Sequence, residues 1–275
     1  MRIFHCAAFW RFFMSTVAIW RSSSAAKRAT ALRCTIHGKG PSLLLVHGLG
    51  TSGAVFAPLI PLLSQHYQLI IPDLRGHGHS RRLPLPISRE QLVEDLEGLL
   101  NLLGIISCAA IGHDDGCALV QMLAQRNPAA VDSLGFISGY ARKSRNPLRN
   151  ASETAWWLLG SRAMAERNAR LARAPEAQYV RSLMRENDGS RVAAVAHTLQ
   201  YFDSSAWLAQ LKVPSCVVVG DSDAASRRQQ SQELARLLPL AQLQVLAGAG
   251  HWLTYTHSEE LAGLLLNWLH EEYVA

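Results

Sequence analysis

The chain has 275 residues, of which 49% are apolar and 17% charged, enough apolar content for a sizeable globular core. Its formal charge of +6 is concentrated at one end: residues 1–40 hold Arg2, Arg11, Arg21, Lys27, Arg28, Arg33 and Lys39 and no Asp or Glu. The rest carries 20 basic against 21 acidic residues, a near-neutral body that argues against nucleic-acid binding.

Residues 1–30 read as a basic N-terminal extension. Ile3 to Trp20 is apolar but interrupted by Arg11, a poor membrane span, so no stable membrane insertion is expected unless this segment anchors the chain. Its Arg, Ser and lack of acids fit a targeting segment, and an upstream start codon with Met14 as the true start is the alternative. The body is expected to be cytoplasmic. Five cysteines (Cys6, Cys34, Cys108, Cys117 and Cys216), an odd number without C-x-x-C, fit a reducing compartment without disulfides or zinc. No G-x-G-x-x-G, Walker or H-E-x-x-H pattern occurs, so neither cofactor nor metal is expected.

Leu43-Leu-Leu-Val46 is an apolar run leading into His47-Gly48-Leu49-Gly50. Ala54–Ser64 reads as a helix and Tyr67–Ile71 as a strand. Ser88 is placed to cap the next helix, with Gln91 at the capping-box position and Glu90, Glu94 and Asp95 near its positive end. That helix runs to Leu103 and stops at Gly104. A strand over 106–111 follows, then Gly112-His113-Asp114-Asp115-Gly116, a helix over 117–126 ending before Pro128, and a strand at Leu134–Ile137. From Arg142 to about Ala206 the pattern is helical and basic-polar, with no convincing strand. Val217-Val-Val219 then leads into Gly220-Asp221-Ser222-Asp223, and a strand at Leu243–Leu246 into Gly248-Ala-Gly250-His251-Trp252 and a last amphipathic helix. Strands alternating with helices imply an α/β sheet covered on both faces.

Gly112 to Gly116 has the form G-x-nucleophile-x-G in a strand–turn–helix context, the nucleophile elbow. With Leu43–Gly50, the segment Asp73-Leu-Arg75-Gly76-His-Gly78-His-Ser80, Gly220–Asp223 and Gly248–Trp252, the chain resembles the α/β-hydrolase superfamily over roughly residues 30 to 273. The order nucleophile, acid, histidine is the order of that fold. The resemblance implies a mostly parallel central sheet with helices on both faces and a small helical cap. The core would comprise 31–140 and 207–275 and the cap 141–206.

The elbow residue is usually serine; here it is Asp114. A carboxylate at a helix N-terminus is favoured as the anion and attacks saturated carbon to form an ester. It is a poor nucleophile for ester hydrolysis, which would give an anhydride. The resemblance assigns His251 as the base that activates water against such an ester. By the G-x-x-D pattern it assigns Asp223 as the acid orienting His251, with Asp221 the alternative. The family rule places the oxyanion hole at the backbone N–H groups of Leu49 and Asp115. His47 reads as a structural residue of the loop, the Asp115 side chain as a plain helix-N-terminal carboxylate, and Asp73 with Arg75 as a structural pair. His113, Tyr140, Trp156, Trp157, Tyr179, Tyr201 and Trp252 are candidates for lining a small, partly apolar substrate.

Three groups in the superfamily use aspartate, and this chain departs from each. Haloalkane dehalogenases carry Trp after the nucleophile and fluoroacetate dehalogenases Arg, where this chain has Asp115. Epoxide hydrolases use H-G-x-P and cap tyrosines, where this chain has Gly50 but supplies Tyr140, Tyr179 and Tyr201. The His47–Gly50 loop is closer to esterases, lactonases and carbon–carbon bond hydrolases. The first expectation is therefore an epoxide-hydrolase-like Asp mechanism, with a dehalogenase behind it. The alternatives are an ester or lactone hydrolase, carbon–carbon bond hydrolase or lyase with Asp114 as general base, and a non-catalytic small-molecule binder.

Overall fold

The computed structural model describes residues 32–84, 88–143, 155–156, 158–171 and 174–274. The N-terminal extension 1–30 and Trp157 lie outside them. Seven strands, β1 (Cys34–His37), β2 (Ser42–Val46), β3 (Gln68–Pro72), β4 (Cys108–His113), β5 (Val131–Ile137), β6 (Ser215–Gly220) and β7 (Ala241–Leu246), form one sheet. Its order is β1-β3-β2-β4-β5-β6-β7. Only β1 is antiparallel to its neighbour; β2 through β7 run parallel.

A parallel sheet needs helices on both faces, so its central strands are apolar without alternation. Leu43 to Val46 and Cys108 to Ile111 are accordingly buried throughout. The strand in the 106–111 region begins only at Cys108, because Ile106 is 87% exposed on the way in. β1 escapes sequence reading altogether, being a four-residue edge strand without apolar alternation.

The helix α1 (Arg89–Leu102) starts at Ser88, whose hydroxyl accepts from the Gln91 amide at 3.1 Å. α2 (Gly116–Arg126) follows the elbow. The helix expected over 54–64 is a correction: the chain forms a 3₁₀ turn at Gly53–Phe56 and a separate single turn at Ile60–Leu63. Pro58 lies between them, where its missing N–H and ring prevent one continuous helix.

Between β5 and β6 stand α3 (Ser161–Leu171), α4 (Ala174–Arg185) and α5 (Gly189–Leu199). Met164, Val180, Met184, Val192 and Val195 from these helices join the same apolar core as the sheet. Asn187, at the α4–α5 junction, ties them to the loops after β2 and β3. Its amide donates to the Gly50 carbonyl at 2.7 Å and its oxygen accepts from the Gly78 N–H at 2.8 Å. α6 (Ala225–Leu237) connects β6 to β7, and α7 (Ser258–Val274) ends the described chain. No helix among the described residues is long and apolar enough to cross a membrane.

Candidate active site

The elbow sits where β4 ends and α2 begins, at the carboxyl edge of the sheet. Asp114 has φ of 51°, in the left-handed region that a residue with a Cβ rarely occupies. Its N–H donates to Ile137 O of β5 at 3.0 Å, and its carbonyl accepts from the Cys117 N–H at 3.1 Å. The flanking glycines are required by close approach. A Cβ at Gly116 would lie 2.1 Å from Val46 O, and one at Gly112 2.5 Å from the Cys117 nitrogen. Ser138, just past β5, is the other described non-glycine residue with positive φ (52°). Its hydroxyl donates to Asp223 Oδ2 at 3.1 Å. Both backbone outliers thus serve one site, where stored strain often collects.

His251 lies in the loop after β7, with Nδ1 3.3 Å from Asp223 Oδ2 and Nε2 4.0 Å from Asp114 Oδ2. Asp223 also accepts the Ala224 amide at 2.7 Å. Burial opposes the Asp223 charge, yet the hydrogen bond from His251 and these other donors hold its pKa below the ordinary value. Burial likewise works against charging His251, but Asp223 and the nearby Asp114 carboxylate outweigh it and raise its pKa above 6.5. Asp221 is exposed and turned away, accepting the Gly248 amide at 2.8 Å. It closes the loop that carries His251, and Asp223 is the carboxylate that faces the imidazole.

The first loop packs against Asp114: a Cβ at Gly48 would come within 2.9 Å of Asp114 Cβ. His47 holds that loop in place, with Nδ1 donating to Gly48 O at 2.8 Å and Nε2 accepting from the Leu74 N–H at 2.9 Å. The amides of Leu49 and Asp115 make no backbone hydrogen bond among the described residues.

Three residues at the site gave no signal in the sequence. Arg227, in the first turn of α6, places a guanidinium nitrogen 2.6 Å from Asp114 Oδ1, a close ion pair without hydrogen-bond alignment. Lys143 Nζ lies 2.7 Å from Asp115 Oδ1. Ser138 is the third. Arg227 and Lys143 reach the elbow, and Ser138 reaches Asp223, from segments distant in sequence, and no local pattern marks them.

Asp115 is more than a helix-terminal carboxylate. It is buried, paired with Lys143, and accepts the Tyr140 hydroxyl at 2.5 Å. Burial opposes its charge, but Lys143, Tyr140 and Arg227 together hold its pKa below the usual range. Nor do Asp73 and Arg75 form a pair. Asp73 accepts the Gly53 and His79 amides, both at 2.8 Å. Arg75 makes a bidentate bridge to Asp95 at 2.7 and 2.8 Å.

Among the candidate lining residues, Trp252 stands edge-on to His251 with ring centres 5.1 Å apart. His113 is enclosed beneath them, 5.3 Å from the His251 ring, and burial pushes its pKa down to about 4. Tyr140 is buried, with its hydroxyl committed to Asp115 and Arg227 5.3 Å over its ring. The Tyr179 hydroxyl donates to Val55 O at 3.0 Å, and its ring stacks on Tyr255. Trp156 packs against the core beneath Arg167, and Tyr201 is 68% exposed. A separate polar cleft of about 420 Å³, lined by Arg81, Arg82, Asn187 and Arg191 among others, includes none of Asp114, Asp223 or His251. Among the described residues no group of His, Cys, Asp and Glu could hold a metal ion.

A parallel sheet with a strained strand–turn–helix elbow at its carboxyl edge defines an enzyme of the hydrolase class. Residues 43–264 match the Alpha/beta hydrolase family, and the chain belongs to it. It is 29% identical to the magnesium-chelatase 30 kDa subunit of Rhodobacter capsulatus, covering 91% of this chain and 95% of that protein. Among solved structures, a thermophilic esterase from Thermogutta terrifontis (malate bound) superposes with a TM-score of 0.81 at 25% identity, over 88% of this chain and 93% of that one. The enol-lactonase from Burkholderia xenovorans LB400 superposes with a TM-score of 0.77 at 24% identity, over 87% and 96%.

Proposed function

We propose that this hydrolase acts without a cofactor on a small, partly apolar electrophile, an epoxide ahead of an alkyl halide, through an ester of Asp114. The carrying observation is the relation of His251 to Asp114. At 4.0 Å, Nε2 stands beyond hydrogen-bond reach of the nucleophile's oxygen, on the side away from Asp223. A serine would need that contact to lose its proton; a carboxylate does not.

In the first step Asp114 Oδ2 forms a bond to a ring carbon and the carbon–oxygen bond breaks. The alkoxide takes the Nε2 proton of charged His251, a state that its raised pKa favours. This replaces the expected tyrosine acids, since the hydroxyls of Tyr140 and Tyr179 are engaged elsewhere and Tyr201 is exposed. In the second step neutral His251 takes a proton from water, and the resulting hydroxide attacks the ester carbonyl. The amides of Leu49 and Asp115 stabilise the tetrahedral oxyanion. Collapse breaks the ester carbon–oxygen bond, the leaving alkoxide takes the proton of the newly formed carboxylic acid, and the diol leaves with the Asp114 carboxylate restored and His251 charged as at the start. Asp223 holds the imidazole in orientation throughout. The helices within 141–206 act as the lid that limits water and shapes the substrate.

The second reading, Asp114 as general base on water in ester or lactone hydrolysis, is favoured by the His47–Gly50 loop and by the likeness to the esterase at 25% identity. Intact-protein mass on His251→Ala after incubation with epoxides, alkyl halides and activated esters separates the two. That variant forms the ester with an alkyl halide without a proton donor and does not hydrolyse it, so an adduct on Asp114 accumulates. Its absence, while the wild type turns over an alkyl halide, refutes the covalent route, and turnover of an activated ester without any adduct leaves the base reading.

A further inference from the structure

Arg227 is the cation beside Asp114 that the proposed chemistry does not use. Its side chain is 23% exposed, beside Asp114 at 17% and His251 at 25%, so none of the three is closed off from solvent. An arginine carries five N–H donors in a planar fork suited to carboxylates. Arg227 stands beside Asp114 Oδ1, and its side chain makes no aligned hydrogen bond among the described residues. Asp115 and Asp223 also favour its charge, but each has its own ion-pair partner, Lys143 at 2.7 Å and His251 at 3.3 Å.

Asp114 is the one carboxylate within ion-pair distance of Arg227 among the described residues. Esterification of Asp114 neutralises it and takes away the ion-pair partner of a largely enclosed guanidinium, a loss that is costly away from bulk water. A substrate that brings its own carboxylate solves both problems at once. It displaces Asp114 Oδ1 from Arg227 on binding, freeing the nucleophile, and it keeps the guanidinium paired after Asp114 becomes an ester. We propose that Arg227 is the recognition site for a carboxylate on the substrate, so that the natural electrophile is an anionic acid; this rests on the assignment of the Asp114 cleft as the active site.

The test is equilibrium binding of unreactive probes, which does not depend on turnover. Acetate, benzoate and phenylacetate, each against its amide, are titrated by calorimetry into wild type, Arg227→Gln, Arg227→Lys and Asp114→Asn. At least one carboxylate is expected to bind the wild type in preference to its amide. Arg227→Gln is expected to lose about 10- to 100-fold in carboxylate affinity, the worth of a charge-assisted hydrogen bond, with amide binding unchanged. Arg227→Lys, which keeps the charge but not the fork, should fall between. Asp114→Asn, with Arg227 intact and its internal competitor removed, should bind the same carboxylate about tenfold more tightly, the scale of one weakened charge pair. Absence of carboxylate preference in the wild type, equal affinity in Arg227→Gln, or no gain in Asp114→Asn overturns the proposal. If Arg227→Gln does not fold, the Asp114→Asn comparison decides alone. An adduct on Asp114 in His251→Ala together with no carboxylate binding would retain the nucleophile and reject only the subsite.

Discussion

Asp115→Asn probes the support beneath the elbow. The substitution keeps size and an acceptor for the Tyr140 hydroxyl but removes the charge that faces Lys143 Nζ at 2.7 Å. Both side chains are enclosed, 6% and 11% exposed, so this pair is not the screened surface kind. Breaking a buried pair by neutralising one partner costs about 3–5 kcal/mol, and retention of the Tyr140 hydrogen bond puts this case near the lower end, at about 3 kcal/mol. For a chain of this size about 3 kcal/mol corresponds to a melting-temperature drop of roughly 6–10 °C. Scanning calorimetry at pH 7 reads it directly. Asp115→Asn with Lys143→Met removes both charges and should recover much of the loss, because an apolar replacement of a buried pair is often neutral. An unchanged melting temperature in the single variant would refute the reasoning, as would a double variant no better than the single.

The remaining predictions concern protonation, backbone and thiols. In an NMR pH titration, His251 should titrate above 6.5 and should move lower in Asp114→Asn, which removes one of the charges that raise it. In the same spectra His113 and His77, pushed down to about 4 and about 3 by burial, should stay neutral from pH 5 to 8; a titrating His113 would mean the site is wetter than described. On the proposed route, whose first step uses charged His251, kcat/KM for an epoxide should fall as pH rises through that raised pKa, whereas an alkyl halide, needing no proton, should show no such fall. Gly116→Ala forces a methyl to within 2.1 Å of Val46 O, a backbone atom that cannot swing aside. We expect a loss of about 1–3 kcal/mol or more in stability, together with loss of turnover, and native-like melting would refute the close approach. Cys34, Cys108, Cys117 and Cys216 are buried as free thiols. Burial pushes Cys108 and Cys216 up to about 12, so peptide mapping after thiol labelling at pH 8 should find all four unmodified until denaturant is added.

What was legible in the sequence is what depends on neighbours along the chain. The elbow announced itself because strand, glycine, nucleophile, glycine and helix are consecutive, and Ser88 with Gln91 marked the start of α1 for the same reason. Even the choice between Asp221 and Asp223 rested on spacing from Gly220, and the structure shows the physical difference: one carboxylate caps the loop amide of Gly248, and the other faces His251. The misreadings have local causes too. Pro58 lay within the apparent helix over 54–64, and a periodicity count weighs it too lightly. What stayed hidden is pairing across elements. Arg227 is one of several arginines on a polar helix, and nothing within five residues distinguishes it from Arg228, whose side chain instead meets the Asp221 carbonyl. Asp73 and Arg75 sit two apart and invite pairing, yet each is held by a partner about 20 residues away, Gly53 and Asp95.

The same distinction separates the two parts of the functional reading. The proposal of Asp114 as nucleophile rests on a backbone turn that only a short segment can build. The nature of its substrate follows from charges gathered by the fold around that turn. Asp115, which stands where the dehalogenases carry Trp or Arg, is not a free anion beside Asp114, because Lys143 and Tyr140 occupy its carboxylate. Of the two cations that face Asp114, His251 is held by Asp223, and Arg227 has no second ion pair among the described residues. A cleft with one anion to attack and one cation to hold favours a substrate bearing both an electrophilic carbon and a negative charge. The carboxylate titrations and the His251→Ala adduct measure those two properties separately.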